Sequence, residues 1–317
     1  MKIVITGGTG FLGRLLAERA VARGDQVTLF DIASPPDGLG GLDGKVDVVL
    51  GDITDAATVN AVIAGSDAVV HLASMVSAGS EADFDAAMRV NLDGGRTVLE
   101  AVRANGPQTK LLFTSSLAVF GGTAMPPTVD GMTRPVPQNT YGMTKTVMEL
   151  LINDMSRKGF FDGRVGRLPT VIVRPGKPNT AASSFASGVI REQLTGDVCE
   201  LPVSRDLTLC VGGYRTVADG LMAMLDAPAE SFGDDRVINL PNITVSVSDM
   251  IAATKAVAVR HGITLGTIED TPNETVRAIV GSWPVAMDAT RALALGCPRD
   301  TDLDAIIEAF IADYLQG

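Results

Sequence analysis

The sequence predicts an α/β fold, a doubly wound parallel sheet with a smaller, discontinuous lobe toward the C-terminus. Three observations lead to this prediction. The first 23 residues have the pattern of a strand, a glycine-rich turn and a helix. Short apolar, β-branched runs then alternate with segments of helical periodicity as far as residue 173, which is typical of βαβ units. With 46% hydrophobic residues among 317, the chain can also bury a large core.

The N-terminal unit is the strongest local signal. Lys2–Thr6 is an apolar run that predicts a buried strand, and residues 14–23 have helical spacing. In the turn between them, Gly7 would permit a tight bend, Gly10 the approach of a pyrophosphate, and Gly13 close packing of helix on strand. Phosphates would bind to free N–H groups at the positive end of the helix. The unit therefore predicts dinucleotide binding.

Two glycine patterns fit this turn. Gly8, Gly10 and Gly13 match G-x-G-x-x-G, whereas Gly7, Gly10 and Gly13 match G-x-x-G-x-x-G. Each is weak by itself, because glycine-rich turns are common. The context strengthens both: a second predicted strand ends at Asp31, whose carboxylate would accept hydrogen bonds from the adenosine ribose and repel a 2′-phosphate. Because no arginine lies beside Asp31, we expect NAD rather than NADP.

The next two strand ends also suit a nucleotide. Residues 46–50 lead to Asp52 and Ile53, which could bracket an adenine; a helix cap for residues 56–64 is the alternative interpretation of Asp52. Residues 66–74 form the fourth predicted strand, and the backbone at its end would line a ribose, at Leu72, Ala73 and Ser74.

Polar residues continue along the predicted sheet edge. A long helix over 83–105, interrupted by Gly94-Gly95, carries Asn91, which is either buried in a polar role or solvated. The fifth strand, 110–114, runs into Ser115 and Ser116. Because ligands bind at the carboxyl ends of strands in open α/β sheets, we expect these hydroxyls at the site.

Tyr141 and Lys145 open a predicted helix over 141–158 and lie on one helical face. A free tyrosine is a poor base at neutral pH, because its pKa is about 10. A nearby ammonium favours the phenolate and lowers the pKa. The pair therefore predicts a base that can take a proton from an alcohol.

These motifs together resemble the extended short-chain dehydrogenase/reductase superfamily, the group related to sugar-nucleotide epimerases. The matching pieces cover nearly the whole chain: residues 6–13, Asp31, 52–53, 71–73, Asn91, 115–116, 119–121, Tyr141, Lys145 and 283–296. The resemblance implies a Rossmann domain, NAD as cofactor and Ser116 as the hydroxyl that holds the substrate oxygen. In the mechanism it implies, Lys145 holds the nicotinamide ribose and Asn91 anchors a water in the proton path. Phe120 departs from the pattern, since many members have tyrosine there.

The predicted site is therefore as follows. The catalytic residues are Ser116, Tyr141, Lys145 and Asn91. The cofactor contacts are Gly7, Thr9, Gly10, Phe11, Leu12, Gly13, Asp31, Asp52, Ile53, Leu72, Ala73, Ser74, Asn91, Tyr141, Lys145 and Pro175. The substrate contacts are Ser115, Ser116, Tyr141, Arg174, Lys177, Asn179, Ser183 and Arg191. No metal site is expected.

The segment after a sixth predicted strand, 164–173, indicates the substrate. Lys177 and Arg191, with small polar groups between them, suit a small anionic ligand, and we expect these two cations to hold a carboxylate. The stretch 174–192 resembles the D-erythronate dehydrogenase family, which oxidises C2 of a four-carbon sugar acid with NAD to the 2-oxo acid. Pro175 is expected over the nicotinamide face, as the superfamily implies.

Domain organisation follows from the later elements. Residues 1–176 and 211–243 are predicted to form the NAD-binding domain, and residues 177–210 and 244–317 the substrate lobe. Helices are predicted over 214–225, 246–259 and 301–315, with a strand over 236–240. Trp283 is expected to pack as an internal residue of the lobe rather than to touch substrate.

Composition excludes several classes of function. The net charge of −11 argues against nucleic acid or an anionic membrane surface as partner, and no apolar run reaches the ~20 residues of a membrane span. Three scattered cysteines and an N-terminus that enters a strand directly predict a cytoplasmic protein without a signal peptide. With two histidines, a His-based metal site is not expected, and His71 is predicted to pack at its strand end.

The predicted function is NAD-dependent oxidation of the C2 hydroxyl of a small sugar acid, with Tyr141 as general base. A nucleotide-sugar epimerase or dehydratase is the alternative enzyme, and a dinucleotide-binding redox sensor is the non-enzymatic one. The superfamily also implies a homodimer through the helices at 83–105 and 141–158.

Overall fold

A computed structural model describes residues 1–35, 38–178 and 181–315. The strands are β1 (Lys2–Thr6), β2 (Gln26–Asp31), β3 (Asp47–Leu50), β4 (Ala68–His71), β5 (Lys110–Ser116), β6 (Asp162–Leu168), β7 (Thr170–Ile172), β8 (Cys199–Leu201), β9 (Thr208–Gly213), β10 (Val237–Asn239), β11 (Ile243–Ser246) and β12 (Ile268–Asp270). The helices are α1 (Phe11–Ala22), α2 (Ala56–Ile63), α3 (Ser77–Ala82), α4 (Phe84–Ala87), α5 (Gly95–Asn105), α6 (Thr140–Arg157), α7 (Ser184–Thr195), α8 (Tyr214–Asp226), α9 (Val247–His261), α10 (Glu274–Gly281), α11 (Thr290–Ala294) and α12 (Leu303–Tyr314).

The main sheet has seven strands in the order β10-β6-β5-β4-β1-β2-β3. Every pairing in it is parallel, which confirms the predicted doubly wound sheet. The strand order reverses between β1 and β4, and this switch point is where such sheets form a ligand crevice.

Both faces of the sheet are buried. Successive residues of β1 illustrate this: Ile3 and Ile5 belong to one apolar cluster and Val4 to another. The cluster around Ile3 continues into the C-terminal elements, through Phe310 of α12 and Met250 of α9. The apolar runs of the strands are therefore explained by burial on two sides.

The predicted sixth strand, 164–173, is wrong as a single element. β6 ends at Leu168, and β7 pairs with β9 in a separate three-stranded sheet completed by β11. Pro169 lies between β6 and β7 and has no N–H to donate to a sheet. The expected boundary between residues 210 and 211 falls inside β9, so the small sheet joins segments on both sides of it.

The predicted long helix over 83–105 is interrupted, but by a wider turn than expected. A π-helical segment, Met88–Gly94, separates α4 from α5 and contains Asn91. Gly94 and Gly95 pack closely against neighbouring side chains, since an added Cβ would lie 2.6 Å from Ile53 or 2.8 Å from Met148. In the described residues, no helix is both long and apolar enough to cross a membrane.

Candidate active site

The glycine turn between β1 and α1 has the geometry of a phosphate cradle. Gly7 has a φ of +67°, and a Cβ on Gly13 would lie 2.6 Å from the Gly7 carbonyl oxygen. Gly8 instead faces the sheet, where a Cβ would meet the Ile5 oxygen at 2.6 Å. The structure therefore favours the pattern built on Gly7, Gly10 and Gly13. Helix α1 begins after Gly10 with no side-chain cap, so its first amides suit a phosphate.

One cavity beside this turn has the predicted adenosine contacts. It is lined by Gly7, Gly10, Asp31, Asp52, Ile53, Leu72, Ala73 and Ser74, among others. Arg89 also lines it; sequence reasoning missed this residue, because it lies in the interrupted helix with no motif around it.

The two acidic residues of this cavity are held by their own neighbours. The Thr9 hydroxyl donates to Asp31 Oδ2 at 2.7 Å. Thr9 thus orients the carboxylate and does not itself line the described wall of the cavity. Asp52 accepts from the Thr54 amide at 2.9 Å, which lowers the pKa of Asp52. The capping alternative for Asp52 is wrong, because Asp55 caps α2.

A second cavity contains the predicted reacting groups. Ser116 and Tyr141 line it, and Gly7, Gly10 and Leu72 line both cavities. Phe11, Leu12 and Gly13 form its wall on the side of α1. The two adjoining cavities and the cradle that a Cβ would fill therefore fit a dinucleotide. We call the second one the catalytic cavity.

Tyr141 lies in the first turn of α6, which Asn139 caps. Burial raises the pKa of Tyr141 to about 12, and a hydrogen bond with Ser116 opposes this rise. The prediction that Lys145 brings this pKa below its ordinary value is therefore wrong for the protein alone: burial dominates, and Lys145 Nζ lies 5.4 Å from the tyrosine ring centroid. Nζ instead donates to the Thr114 carbonyl at 2.8 Å.

Beneath Lys145 lies a buried network that sequence reasoning missed. Glu149, one helical turn further along α6, is 3% exposed. It accepts two hydrogen bonds from Arg167 of β6, at 2.9 and 2.6 Å. Burial lowers the pKa of Lys145 to about 7, and the Glu149 charge opposes this shift. The i, i+4, i+8 spacing of Tyr141, Lys145 and Glu149 was the available signal.

Ser115, which was predicted to contact the substrate, uses its hydroxyl for a hydrogen bond within the protein. Although it lines the catalytic cavity, its hydroxyl donates to Glu149 Oε1 at 2.5 Å. Ser116 alternates to the other side of β5, as successive strand residues do.

Asn91 is buried, as one of its two interpretations required, but its polar atoms are used by the protein. Its Oδ1 accepts from the Met75 amide at 2.8 Å and from Ser74. Its Nδ2 donates to the Met75 carbonyl and to Thr144 at 3.2 Å. These bonds use the hydrogen-bonding capacity of the side-chain amide within the protein. Asn91 thereby ties the loop after β4 to α6, and its expected water-anchoring role stays a prediction.

The predicted carboxylate contacts are divided between two places. Arg174 and Ser183 line the catalytic cavity, whereas Pro175, Lys177 and Arg191 line a separate one beside α12. The expectation that Lys177 and Arg191 meet the reacting groups, and that Pro175 covers them, is therefore not supported. Asn179 lies outside the described residues.

Arg191 has a structural role instead. It is 5% exposed, donates to the Arg174 carbonyl at 2.6 Å and pairs with Glu192. Burial and the charge of Arg191 lower the pKa of Arg174. Arg191 thus supports the backbone that carries Arg174.

His71 is packed, as predicted. Its Nδ1 and the Thr6 hydroxyl lie 2.7 Å apart, and burial lowers its pKa to about 3. Trp283 is 8% exposed and packs internally, but it also lines the catalytic cavity, which the sequence did not predict. In the described residues, no group of three or more His, Cys, Asp or Glu side chains is arranged to hold a metal ion.

The sequence model of the NAD dependent epimerase/dehydratase family matches residues 3–235. The chain belongs to this family. The family belongs to the short-chain dehydrogenase/reductase enzymes. The cofactor is therefore NAD, and the enzyme acts as an oxidoreductase on a CH–OH group.

Two sequence relatives and one solved structure each align with nearly the whole chain. The D-erythronate dehydrogenase of Cupriavidus necator is 45% identical over 99% of this chain and 98% of its own length. The D-erythronate dehydrogenase of Haemophilus influenzae is 40% identical, with 98% and 99% covered. A solved structure described as a nucleoside-diphosphate-sugar epimerase from Agrobacterium tumefaciens has a TM-score of 0.88 at 34% identity, covering 100% of this chain and 95% of that one.

Proposed function

We propose that the protein oxidises the C2 hydroxyl of a small sugar acid, D-erythronate or a close analogue, to the 2-oxo acid. One observation carries the proposal. The cavity that contains Tyr141 and Ser116 has Arg174 as the only charged side chain in its described wall. A cavity of this kind suits a small anion with an alcohol beside it. The relatives at 45% and 40% identity, which are D-erythronate dehydrogenases, support the same substrate class.

In the proposed reaction, Tyr141 takes the proton from the C2 hydroxyl. The Ser116 hydroxyl hydrogen-bonds to Tyr141, which acts to lower the pKa of Tyr141. Because a serine has a single O–H donor, this hydroxyl turns to the substrate oxygen when Tyr141 takes the proton. NAD, held by the turn at Gly7–Gly13 and by Asp31, would supply a hydride acceptor for C2 and a positively charged ring. Lys145 Nζ lies 5.4 Å from the centroid of the Tyr141 ring and, when protonated, adds positive charge near the phenol. This charge favours the phenolate that takes the proton.

Arg174 is proposed to hold the carboxylate. The backbone carbonyl of Arg174 accepts a hydrogen bond from Arg191, which supports this segment. The Arg174 guanidinium suits bidentate binding of a carboxylate. Ser183, which precedes α7, supplies a further polar group in the same wall. Fixing the carboxylate fixes the position of C2 relative to Tyr141, which is how binding accelerates such a transfer.

Net NADH formation tests this proposal. Purified protein with NAD and D-erythronate should form NADH and a 2-oxo acid in equal amounts. Erythritol, which has the same carbon chain without the carboxylate, should be a much poorer substrate. The absence of NADH with D-erythronate and its four-carbon stereoisomers would contradict the proposal.

A nucleotide-sugar epimerase is the second candidate, and the 34% identical structure from Agrobacterium tumefaciens favours it. An epimerase regenerates its cofactor in every turnover. It should change the configuration of a nucleotide sugar with no lasting rise in NADH absorbance. Product analysis of both substrate classes therefore separates the two. A sensor without enzymatic activity would bind NAD and turn over neither.

We also propose that the protein is a homodimer through α4, α5 and α6. Phe84 and Leu150 are large apolar residues on these helices and are 54% and 66% exposed. Burial of such residues against a second copy would remove apolar surface from water. Light scattering on the wild-type protein should give twice the chain mass, and Leu150→Glu should give a monomer. An unchanged dimer in that variant would exclude α6 as the interface.

A further inference from the structure

The first turn of α1 has three backbone amides that the protein itself does not use. The Arg14 amide donates to the Gly10 carbonyl at 3.0 Å, but in the part of the chain that the structure describes the amides of residues 11–13 have no acceptor. Such amides are the donors that bind a pyrophosphate at a helix N-terminus. Their positions therefore bear directly on the binding of NAD.

Phe11, the first residue of α1, packs its ring on Tyr214, the first residue of α8. The ring centroids lie 5.6 Å apart and the planes are inclined by 53°, a favourable arrangement for two aromatic rings. Tyr214 is 1% exposed, whereas Phe11 is partly buried and lines the catalytic cavity. Because a side chain and its amide share one Cα, fixing the Phe11 ring also restrains the amide that begins the helix.

Tyr214 is in turn tied to the C-terminal helix α12. Its hydroxyl donates to the Asp313 carboxylate and lies 3.1 Å from the Ala309 carbonyl oxygen. Arg215 Nε donates to the same carboxylate at 2.8 Å, and the guanidinium lowers the pKa of Asp313. Burial and the hydrogen bond to Asp313 raise the pKa of Tyr214, so the phenol stays protonated and continues to donate.

A second connection between α1 and α8 acts elsewhere. Arg19 pairs with Asp219 of α8, and Arg19 lies eight residues after Phe11, about two helical turns from the free amides. This ion pair joins the same two helices, but only the contact between Phe11 and Tyr214 acts on the residue that carries the first free amide.

From these contacts we propose that Tyr214 and Asp313 are positioning residues for the cofactor. Acting through the Phe11 ring, they hold the first amides of α1 in place for the pyrophosphate of NAD. Neither residue lines the described wall of the two cofactor cavities, so both act through another residue. The inference concerns the cofactor alone and does not depend on which alcohol is oxidised.

Calorimetric titration with NAD, without substrate, tests the inference. Tyr214→Phe removes the hydroxyl but keeps a ring on Phe11, and we expect the Kd for NAD to rise about 3- to 10-fold, as for the loss of one hydrogen bond. Asp313→Asn keeps an acceptor at a partly exposed position and should give a smaller rise. An unchanged Kd in both variants would overturn the inference.

The control variant is Asp219→Asn, which breaks the ion pair with Arg19 between the same helices. Its denaturation midpoint should fall, but its Kd for NAD should change by less than about 2-fold, because the pair is at the surface and distant from the turn. A rise in Kd equal to that of Tyr214→Phe would mean that any loosening of α1 on α8 weakens NAD, and would overturn the specific role of Tyr214.

Fragments of the cofactor locate the effect. ADP-ribose carries the pyrophosphate, whereas adenosine does not, and calorimetric competition measures both. Tyr214→Phe should weaken ADP-ribose by the same factor as NAD and should leave adenosine unchanged. An equal loss for the two fragments would indicate a general disturbance of the cofactor region and would overturn the inference, as would wild-type protein that binds ADP-ribose no more tightly than adenosine.

Discussion

The proposed cofactor region and the proposed substrate region of this enzyme are built in different ways. The cofactor region, the turn at Gly7–Gly13 with Asp31 and residues 72–74, is formed by short segments at the ends of β1, β2 and β4. The substrate region, Arg174, Ser183 and Trp283, brings together segments about a hundred residues apart. A site at the ends of neighbouring strands is encoded by short local patterns, whereas a site that joins distant segments depends on how those segments pack.

Tyr141 lies in the catalytic cavity, and its removal should have the largest effect. Tyr141→Phe should lower kcat about 10³-fold, because general base catalysis typically contributes 10²- to 10⁴-fold, while NAD binding changes little. Tyr314→Phe is the control, since Tyr314 lies on α12 beside the separate cavity. Steady-state kinetics measure both. Retention of wild-type turnover in Tyr141→Phe would remove the phenol from the mechanism.

Glu149 lies in the buried network beneath Lys145, and its replacement is expected to have the next largest effect. Glu149→Gln breaks a buried ion pair with Arg167 and should lower the free energy of unfolding by about 3 kcal/mol. Because the Glu149 charge raises the pKa of Lys145 against burial, its removal should lower that pKa. Activity that depends on protonated Lys145 should then be lost at lower pH than in the wild type.

A second ion pair on β6 supplies the control. Arg164 is buried at the opposite end of the strand and pairs with Asp162 at 2.6 Å. Asp162→Asn should also lower the denaturation midpoint but should leave the pH profile of kcat unchanged. If the two variants have the same pH profile, Glu149 has only a structural role.

Substitutions of two cationic residues in one loop test the substrate region. Arg174→Gln should raise the KM for D-erythronate about 50-fold by the loss of charge-assisted hydrogen bonds, with the KM for NAD unchanged. Lys177→Gln removes a cation three residues later, from an exposed position outside the catalytic cavity, and should change neither constant more than about 2-fold. The reverse result would restore the carboxylate contact predicted for Lys177.

A substitution in the cofactor region should change the KM for NAD rather than the KM for D-erythronate. Its effect should be the smallest of the four. Asp31→Ser removes the carboxylate that Thr9 orients. It should raise the KM for NAD about 10-fold and improve the use of NADP, while the KM for D-erythronate is retained. Parallel kinetics with both nucleotides measure this. Undiminished preference for NAD would mean that other groups in the cavity determine the choice.

The correct and incorrect predictions divide along the same line. The turn at Gly7–Gly13, the strand ending at Asp31 and the pair Tyr141 and Lys145 were predictable, because each lies within one strand, turn or helical face. The grouping of Lys177 and Arg191 with Tyr141 was not predictable, because a loop after a strand does not reveal which of its side chains enters a cavity, and both residues line a separate one.

Environment was the second quantity that the sequence did not contain. The spacing of Tyr141 and Lys145 predicted a phenol with a lowered pKa. Burial instead raises the pKa of Tyr141 and lowers the pKa of Lys145, so the neutral form of each group is favoured. Likewise, nothing local to Asn91 or Ser115 shows that neighbouring amides and Glu149 use their hydrogen bonds.

The sequence by itself determined the parallel sheet, the phosphate turn and the placement of Tyr141 and Lys145 on one helical face, since these depend on periodicity and on short spacings along the chain. Only the tertiary structure decided that Arg174 rather than Lys177 lines the cavity of Tyr141, that Glu149 and Arg167 lie beneath Lys145, and that Trp283 contributes to the wall of the same cavity. Those properties come from desolvation and from contacts between distant segments, and both are set by packing.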